Sequence, residues 1–197
     1  MAKLRAFIAV ELSEALRRAL GEVQAQVRAA VDLPVRWVEP EKAHLTLKFL
    51  GDIDEGQVEA IVSAMADIAS QAQPMTVALG DVGGFPTLAR PRVLWVGLRG
   101  DVGPLTDLQQ SLERRLESLG FTAEGRPFAP HLTLGRVRGG DRSRRVDEAA
   151  GLAADAPSAE AVQRVDRISL MQSTLRAQGA EYRSLRSVIL GSELSVP

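Results

Sequence analysis

His44-Leu45-Thr46-Leu47 and His131-Leu132-Thr133-Leu134 are the same four-residue word, and between them they hold both histidines of the 197-residue chain. With ordinary amino-acid usage, the chance of Leu, Thr and Leu following the second histidine by accident is on the order of one in a thousand. Each word alternates polar and apolar residues, the pattern of a half-buried strand. Side chains two positions apart in a strand share a face. His44 with Thr46, and His131 with Thr133, are therefore predicted to face a cleft, while the leucines enter a core. Imidazole titrates nearest neutrality of all side chains, so two of them on matched strands can act as acid and base. Threonine hydroxyls can donate to phosphate oxygens.

Five positions after each histidine stand Phe49 and Arg136. Strict alternation would place both on the core face. A bend or bulge is needed to aim Arg136 inward as a phosphate clamp, and Gly135 can permit one. Phe49 at the equivalent position is a candidate wall on which a base stacks. Phe7 is a second candidate substrate contact, although phenylalanines are more often simple core residues. Trp37 and Trp95 are read as core.

Around the words, Leu4–Val10 reads as a buried strand. Ser13 resembles the N-cap of a helix carrying Ala15, Leu16, Ala19, Leu20, Val23 and Val27. Val35–Val38 is a short strand, and 43–50 is the first motif strand, closed by Gly51-Asp52. A second helix starts at Asp54, with Val58, Ile61, Val62, Met65 and Ile68 on one face. A strand near 75–82 precedes a turn-rich loop from Gly83 to Pro91. Val93–Leu98 is a strand, and Leu105, Leu108, Leu112, Leu116 and Leu119 mark a third helix stopped by Gly120. Residues 131–137 form the second motif strand. A basic loop, Gly139–Arg145, and an Ala-rich helix follow, then two strands near 164–175 and 181–190. The two halves share a grammar, which predicts an α+β fold in a single domain spanning 1–197. Two related lobes fit that grammar. Mostly antiparallel sheets would line a central cleft where the motifs converge, with helices outside.

A net charge of -1 gives no global attraction to polyanions, and 45% apolar residues suit a globular core. Only Lys3, Lys42 and Lys48 among the 24 basic residues are lysines. The arginines of the 136–145 stretch are read first as a solvated loop, with RNA contact as the lesser reading. The absence of cysteine excludes disulfides, thiolate metal sites and cysteine nucleophiles. A catalytic zinc site wants three protein ligands, and neither word contains a carboxylate, so no metal is expected. No nucleophile elbow, P-loop or dinucleotide fingerprint is present. With no signal peptide or membrane span read in the chain, a cytoplasmic setting is expected.

The residues resemble the 2H phosphoesterases, and most closely the RNA 2',3'-cyclic phosphodiesterases, also called 2'-5' RNA ligases. The likeness is carried by Arg5–Val10, by Trp37-Val38 ahead of His44–Gly51, by Pro91–Gly97, by Pro130–Val137 and by the Tyr182 segment. The resemblance implies a bilobal α+β fold with pseudo-twofold symmetry, and hydrolysis of a terminal 2',3'-cyclic phosphate to a 2'-phosphate without metal, ATP or other cofactor. His44 would be the proton donor and His131 the proton acceptor, with Thr46, Thr133 and Arg136 on the phosphate. It also implies 2'-5' joining of RNA ends in some members. The expected partners are RNA ends or nucleotides bearing a 2',3'-cyclic phosphate; a monomer with no obligate protein partner is expected. Two other readings stay open: a binding module that holds a nucleotide or RNA end without turnover, and a phosphodiesterase for another small cyclic phosphate or a 2'-5' oligonucleotide.

Overall fold

The computed structural model describes residues 3–138, 161–176 and 179–191. Its order is β1 (Lys3–Glu11), α1 (Glu14–Ala30), β2 (Val35–Trp37), β3 (His44–Asp54), α2 (Val58–Gln71), β4 (Met75–Phe85), β5 (Val93–Gly100), α3 (Val102–Glu117), β6 (His131–Val137), β7 (Val162–Val165), β8 (Arg167–Arg176) and β9 (Gly179–Ile189). The strands form two antiparallel sheets, one ordered β3-β1-β8-β9 and the other β2-β6-β5-β4-β7. The two motif strands, one from each sheet, lie against each other at the seam between the lobes. This is the mixed helix and sheet, two-lobe architecture read from the sequence.

Each sheet has a core face and a cleft face. In β1, Ile8 and Val10 enter the main core, while Phe7 and Ala9 form a separate apolar patch with Met171 on the other side. The helices bury one stripe each: Leu16, Leu20, Val23 and Val27 in α1, and Leu105, Leu108, Leu112 and Leu116 in α3. Ser13 caps α1 as predicted, its Oγ accepting from Leu16 N at 3.2 Å. The helices cross between lobes. α1 follows a strand of the first sheet yet packs on β4 and β7 of the second, where Gln163 Oε1 accepts from Ser13 N at 2.6 Å. α3 follows a strand of the second sheet and packs on β3 of the first as well as on β4.

Three boundaries differ from the sequence reading. β3 does not close at Gly51-Asp52 but runs to Asp54, because Gly51 takes a left-handed φ of 72° and the register shifts there by one residue. The segment Gly83–Phe85 is strand, not turn. Gly83 is glycine because Trp95 lies across it, and a Cβ there would sit 2.2 Å from the indole. The C-terminal part holds three strands where two were expected: the chain changes sheet at Asp166, β7 pairing with β4 and β8 with β1. The basic loop and Ala-rich helix expected between Gly139 and residue 160 lie outside the described residues.

Candidate active site

Both motif strands carry a bulge at the same letter. Ile8 pairs with Lys48 but Ala9 with Thr46, so Leu47 is the extra residue of β3. Leu94 pairs with Gly135 but Trp95 with Thr133, so Leu134 is the extra residue of β6. A bulge resets the alternation of faces. Leu45, Leu47, Leu132 and Leu134 are all buried, yet Phe49 and Arg136 return to the face of their histidines. The bend that the sequence required at Arg136 is therefore present, and it is present twice.

The result is a cleft of about 510 Å³ lined by His44, Thr46, His131, Thr133, Arg136 and Phe49. All of the motif residues singled out from the sequence are thus brought together. Each imidazole is held in the same way. The Nδ1 of His44 is 3.0 Å from the Lys42 carbonyl oxygen, and the Nδ1 of His131 is 2.7 Å from that of Ala129. A carbonyl only accepts, so each Nδ1 carries a proton and donates it, which leaves Nε2 as the titrating atom.

Aromatic rings fix the planes of the imidazoles. Phe7 lies 4.6 Å from His44 and Tyr182 lies 4.8 Å from it on centroids. In the other lobe Phe85 is 5.0 Å and Trp95 6.0 Å from His131. Phe7 lines the cleft but is only 3% exposed, so it serves as a wall behind His44; Phe49 is 62% exposed and open to a stacking partner. Trp95 was read as core and is in fact half-buried support for His131. Phe85 escaped the sequence reading because Gly83-Gly84 before it resembles a turn. Tyr182 had no signal beyond the family resemblance.

Arg5 and Lys42 join Arg136 in the lining, and among the described residues none that lines the cleft is acidic. Lys42 also pairs with Glu39 at 2.7 Å, an exposed contact of little energetic weight. The cleft is thus built for an anion. Burial pushes the pKa of His44 below its ordinary value, a shift the hydrogen bond to Lys42 partly opposes. A second cavity of about 400 Å³ continues from the cleft, sharing Lys42, Arg136 and Tyr182 with it and adding Arg36, Trp37, Arg176 and one carboxylate, Glu39.

The comparisons agree with this doubled plan. The profile of the family described as LigT-like phosphoesterase matches residues 10–95 and then residues 96–182. A protein of Methanothermobacter thermautotrophicus named RNA 2',3'-cyclic phosphodiesterase is 36% identical over 93% of this chain and 97% of its own. One of the same name from Aquifex aeolicus is 31% identical over 97% of this chain and 100% of its own. Among solved structures, TT0787 of Thermus thermophilus is 28% identical, covers 96% of this chain and 100% of its own, and superposes with a TM-score of 0.76.

Proposed function

The chain belongs to the LigT-like phosphoesterase family, and from that membership together with the cleft we propose that it is an RNA 2',3'-cyclic phosphodiesterase that opens a terminal 2',3'-cyclic phosphate to a 2'-phosphate. The single observation that carries this reading is the pair of imidazoles, each with Nδ1 tied to a carbonyl, in one cleft with three cationic side chains and no lining carboxylate among the described residues.

In the proposed reaction His131 Nε2 accepts a proton from water as the water oxygen bonds to phosphorus. The bond from phosphorus to the 3' oxygen breaks, and protonated His44 gives its Nε2 proton to that oxygen. The products are a 2'-phosphomonoester and a free 3'-hydroxyl. Thr46, Thr133 and Arg136 hold the charged phosphoryl oxygens, where fixed donors in a partly desolvated site act most strongly. His44 is the more demanding partner, because burial favours its neutral form in the free protein. The anionic phosphate favours the charged imidazole, so substrate binding itself loads the donor with its proton.

The adjoining cavity supports a polynucleotide rather than a lone nucleotide. Arg36 and Arg176 can follow a phosphodiester backbone, while Trp37, read as core, is half-buried against that core with Arg28 over its ring.

The test is incubation with 2',3'-cyclic AMP in EDTA, followed by phosphorus NMR. A 2'-phosphomonoester is expected. Saturable binding with no product would instead identify a module that only holds nucleotides. A short RNA ending in a cyclic phosphate should show the higher kcat/KM and the steeper loss with salt, since releasing counterions from several phosphates makes binding salt-dependent.

A further inference from the structure

The carbonyl of each bulge residue is met by the same residue type in both lobes. Gln24, on α1, donates from Nε2 to the Leu134 carbonyl at 3.0 Å and to the Val38 carbonyl at 2.6 Å. Gln109, on α3, donates from Nε2 to the Leu47 carbonyl at 3.3 Å. Leu134 and Leu47 are the extra residues of the two bulges. Gln109 is 4% exposed, and its amide is itself held by Glu113 Oε1 at 3.0 Å. Neither glutamine lines the cleft.

We propose that Gln24 and Gln109 are a matched pair of positioning residues, each locking the bulge that aims the side chain five places after a catalytic histidine. The Leu134 carbonyl also accepts from Val38 N at 2.9 Å, so loss of the Gln24 amide takes a second donor from Leu134 and the 2.6 Å donor from Val38. A weakened bulge gives way by slipping back into regular pairing. Slippage by one residue turns every later side chain to the opposite face. In β6 it would carry Arg136 out of the cleft; in β3 it would carry Phe49 out. Gln24 also fixes Val38, a cleft-lining residue, so one amide ties together β6 and the segment after β2. The assignment extends to Arg136 and Phe49 the logic that supporting groups must hold a reacting constellation in place.

The proposal rests on the phosphodiesterase reading for its kinetics but not for its structural content. Gln24→Met keeps the length of the side chain and removes the donor. With 2',3'-cyclic AMP it should lower kcat by up to about 10²-fold, the loss expected when a transition-state contact is displaced by about 1 Å. In an Arg136→Ala background the same change should cost less than about twofold, because the residue it positions is gone. Gln24→Lys, which restores a donor, should recover part of the rate. Gln109→Met should act on KM rather than kcat and lose its effect beside Phe49→Ala. An equal rate loss with and without Arg136, at an unchanged melting temperature, would overturn the assignment, as would an unchanged rate in Gln24→Met. A wild-type chain that turns over no cyclic nucleotide defeats the phosphodiesterase reading instead. Titration with inorganic phosphate then decides the clamp: Gln24→Met must weaken phosphate binding only when Arg136 is present, and equal weakening in both backgrounds, or no binding by the wild type, overturns it.

Discussion

The two motif strands share a word and a bulge but are finished differently, and the difference follows from their neighbours. β6 is covered by β2, which pairs with Gly135, Arg136 and Val137. A Cβ on Gly135 would lie 2.4 Å from the Val35 side chain, so only glycine fits there. β3 is an edge strand with no such cover among the described residues. Its equivalent residue is Lys48, 3% exposed, whose Nζ donates at 2.6 Å both to Glu113 Oε2 and to the Thr122 carbonyl. The lobes therefore stabilise the same local geometry by opposite means. One closes a strand over it, and the other fills the space with a long side chain whose ammonium has two partners. At the next position the lobes diverge in chemistry, a guanidinium on one side and an aromatic ring on the other. In the proposed reading, a duplicated framework holds the phosphate from one half and offers a stacking surface from the other.

The largest effect should come from the feature the lobes share. His44→Ala and His131→Ala are each expected to lower kcat by roughly 10²–10⁴, the usual contribution of a positioned acid or base. The double variant should be little worse than either single one, since the two act in one step. Steady-state assays with a 2',3'-cyclic nucleotide measure this; wild-type-like turnover by either single variant would end the symmetry of roles.

Stability separates the lobes next. Lys48→Ala strands Glu113 in a largely buried site and should cost about 3–5 kcal/mol, as removal of one partner of a buried ion pair does. Gly135→Ala forces β2 away and should cost about 1–3 kcal/mol. Urea unfolding ranks them, and the reverse order would show that strand cover matters more than the buried pair.

The divergent pair then splits kcat from KM. Arg136→Ala should reduce kcat by about 10²–10³, as loss of one transition-state charge contact does. Phe49→Ala should leave kcat intact and weaken nucleotide binding by about 1–3 kcal/mol through lost stacking. A Phe49→Ala variant whose KM is unchanged would return the ring to a surface role.

The smallest effect is one of pH. A donor works only when protonated, so kcat/KM falls as pH rises through the His44 pKa of the free protein. Burial lowers that pKa, so the decline should begin below about pH 6.5, the ordinary histidine value. The bound phosphate raises it again, and the falling limb of kcat should lie at higher pH than that of kcat/KM. A falling limb of kcat at or below that of kcat/KM would show that bound phosphate does not charge His44.

Most of the cleft was legible because its signals are local. Alternation within the words put histidine and threonine on one face. The mismatch of Arg136 with that alternation, beside Gly135, announced a bulge. The twin bulge at Leu47 left no glycine behind to announce it, since Lys48 follows where Gly135 does. What the sequence concealed depends on contacts between distant segments. Gly83 reads as a turn residue until Trp95, the partner that needs its missing side chain, is set across from it. Phe85 reaches His131 only once β5 is set between their strands, and Tyr182 reaches His44 only once β1 and β8 separate theirs in the other sheet. The change of sheet at Asp166 likewise has no glycine or proline to mark it in the sequence and is visible only in the pairing.

The crossing of the helices makes the halves hostages to each other. The profile fits each half as a separate copy, yet α1 of the first copy reaches Leu134 of the second, and α3 of the second reaches Leu47 of the first. Cutting the chain between the copies would give two fragments, each with its histidine but without the amide that shapes its strand. Such fragments should gain function only by reuniting, so the duplication is interlocked, and an ancestor made of one copy would have had to work as a pair.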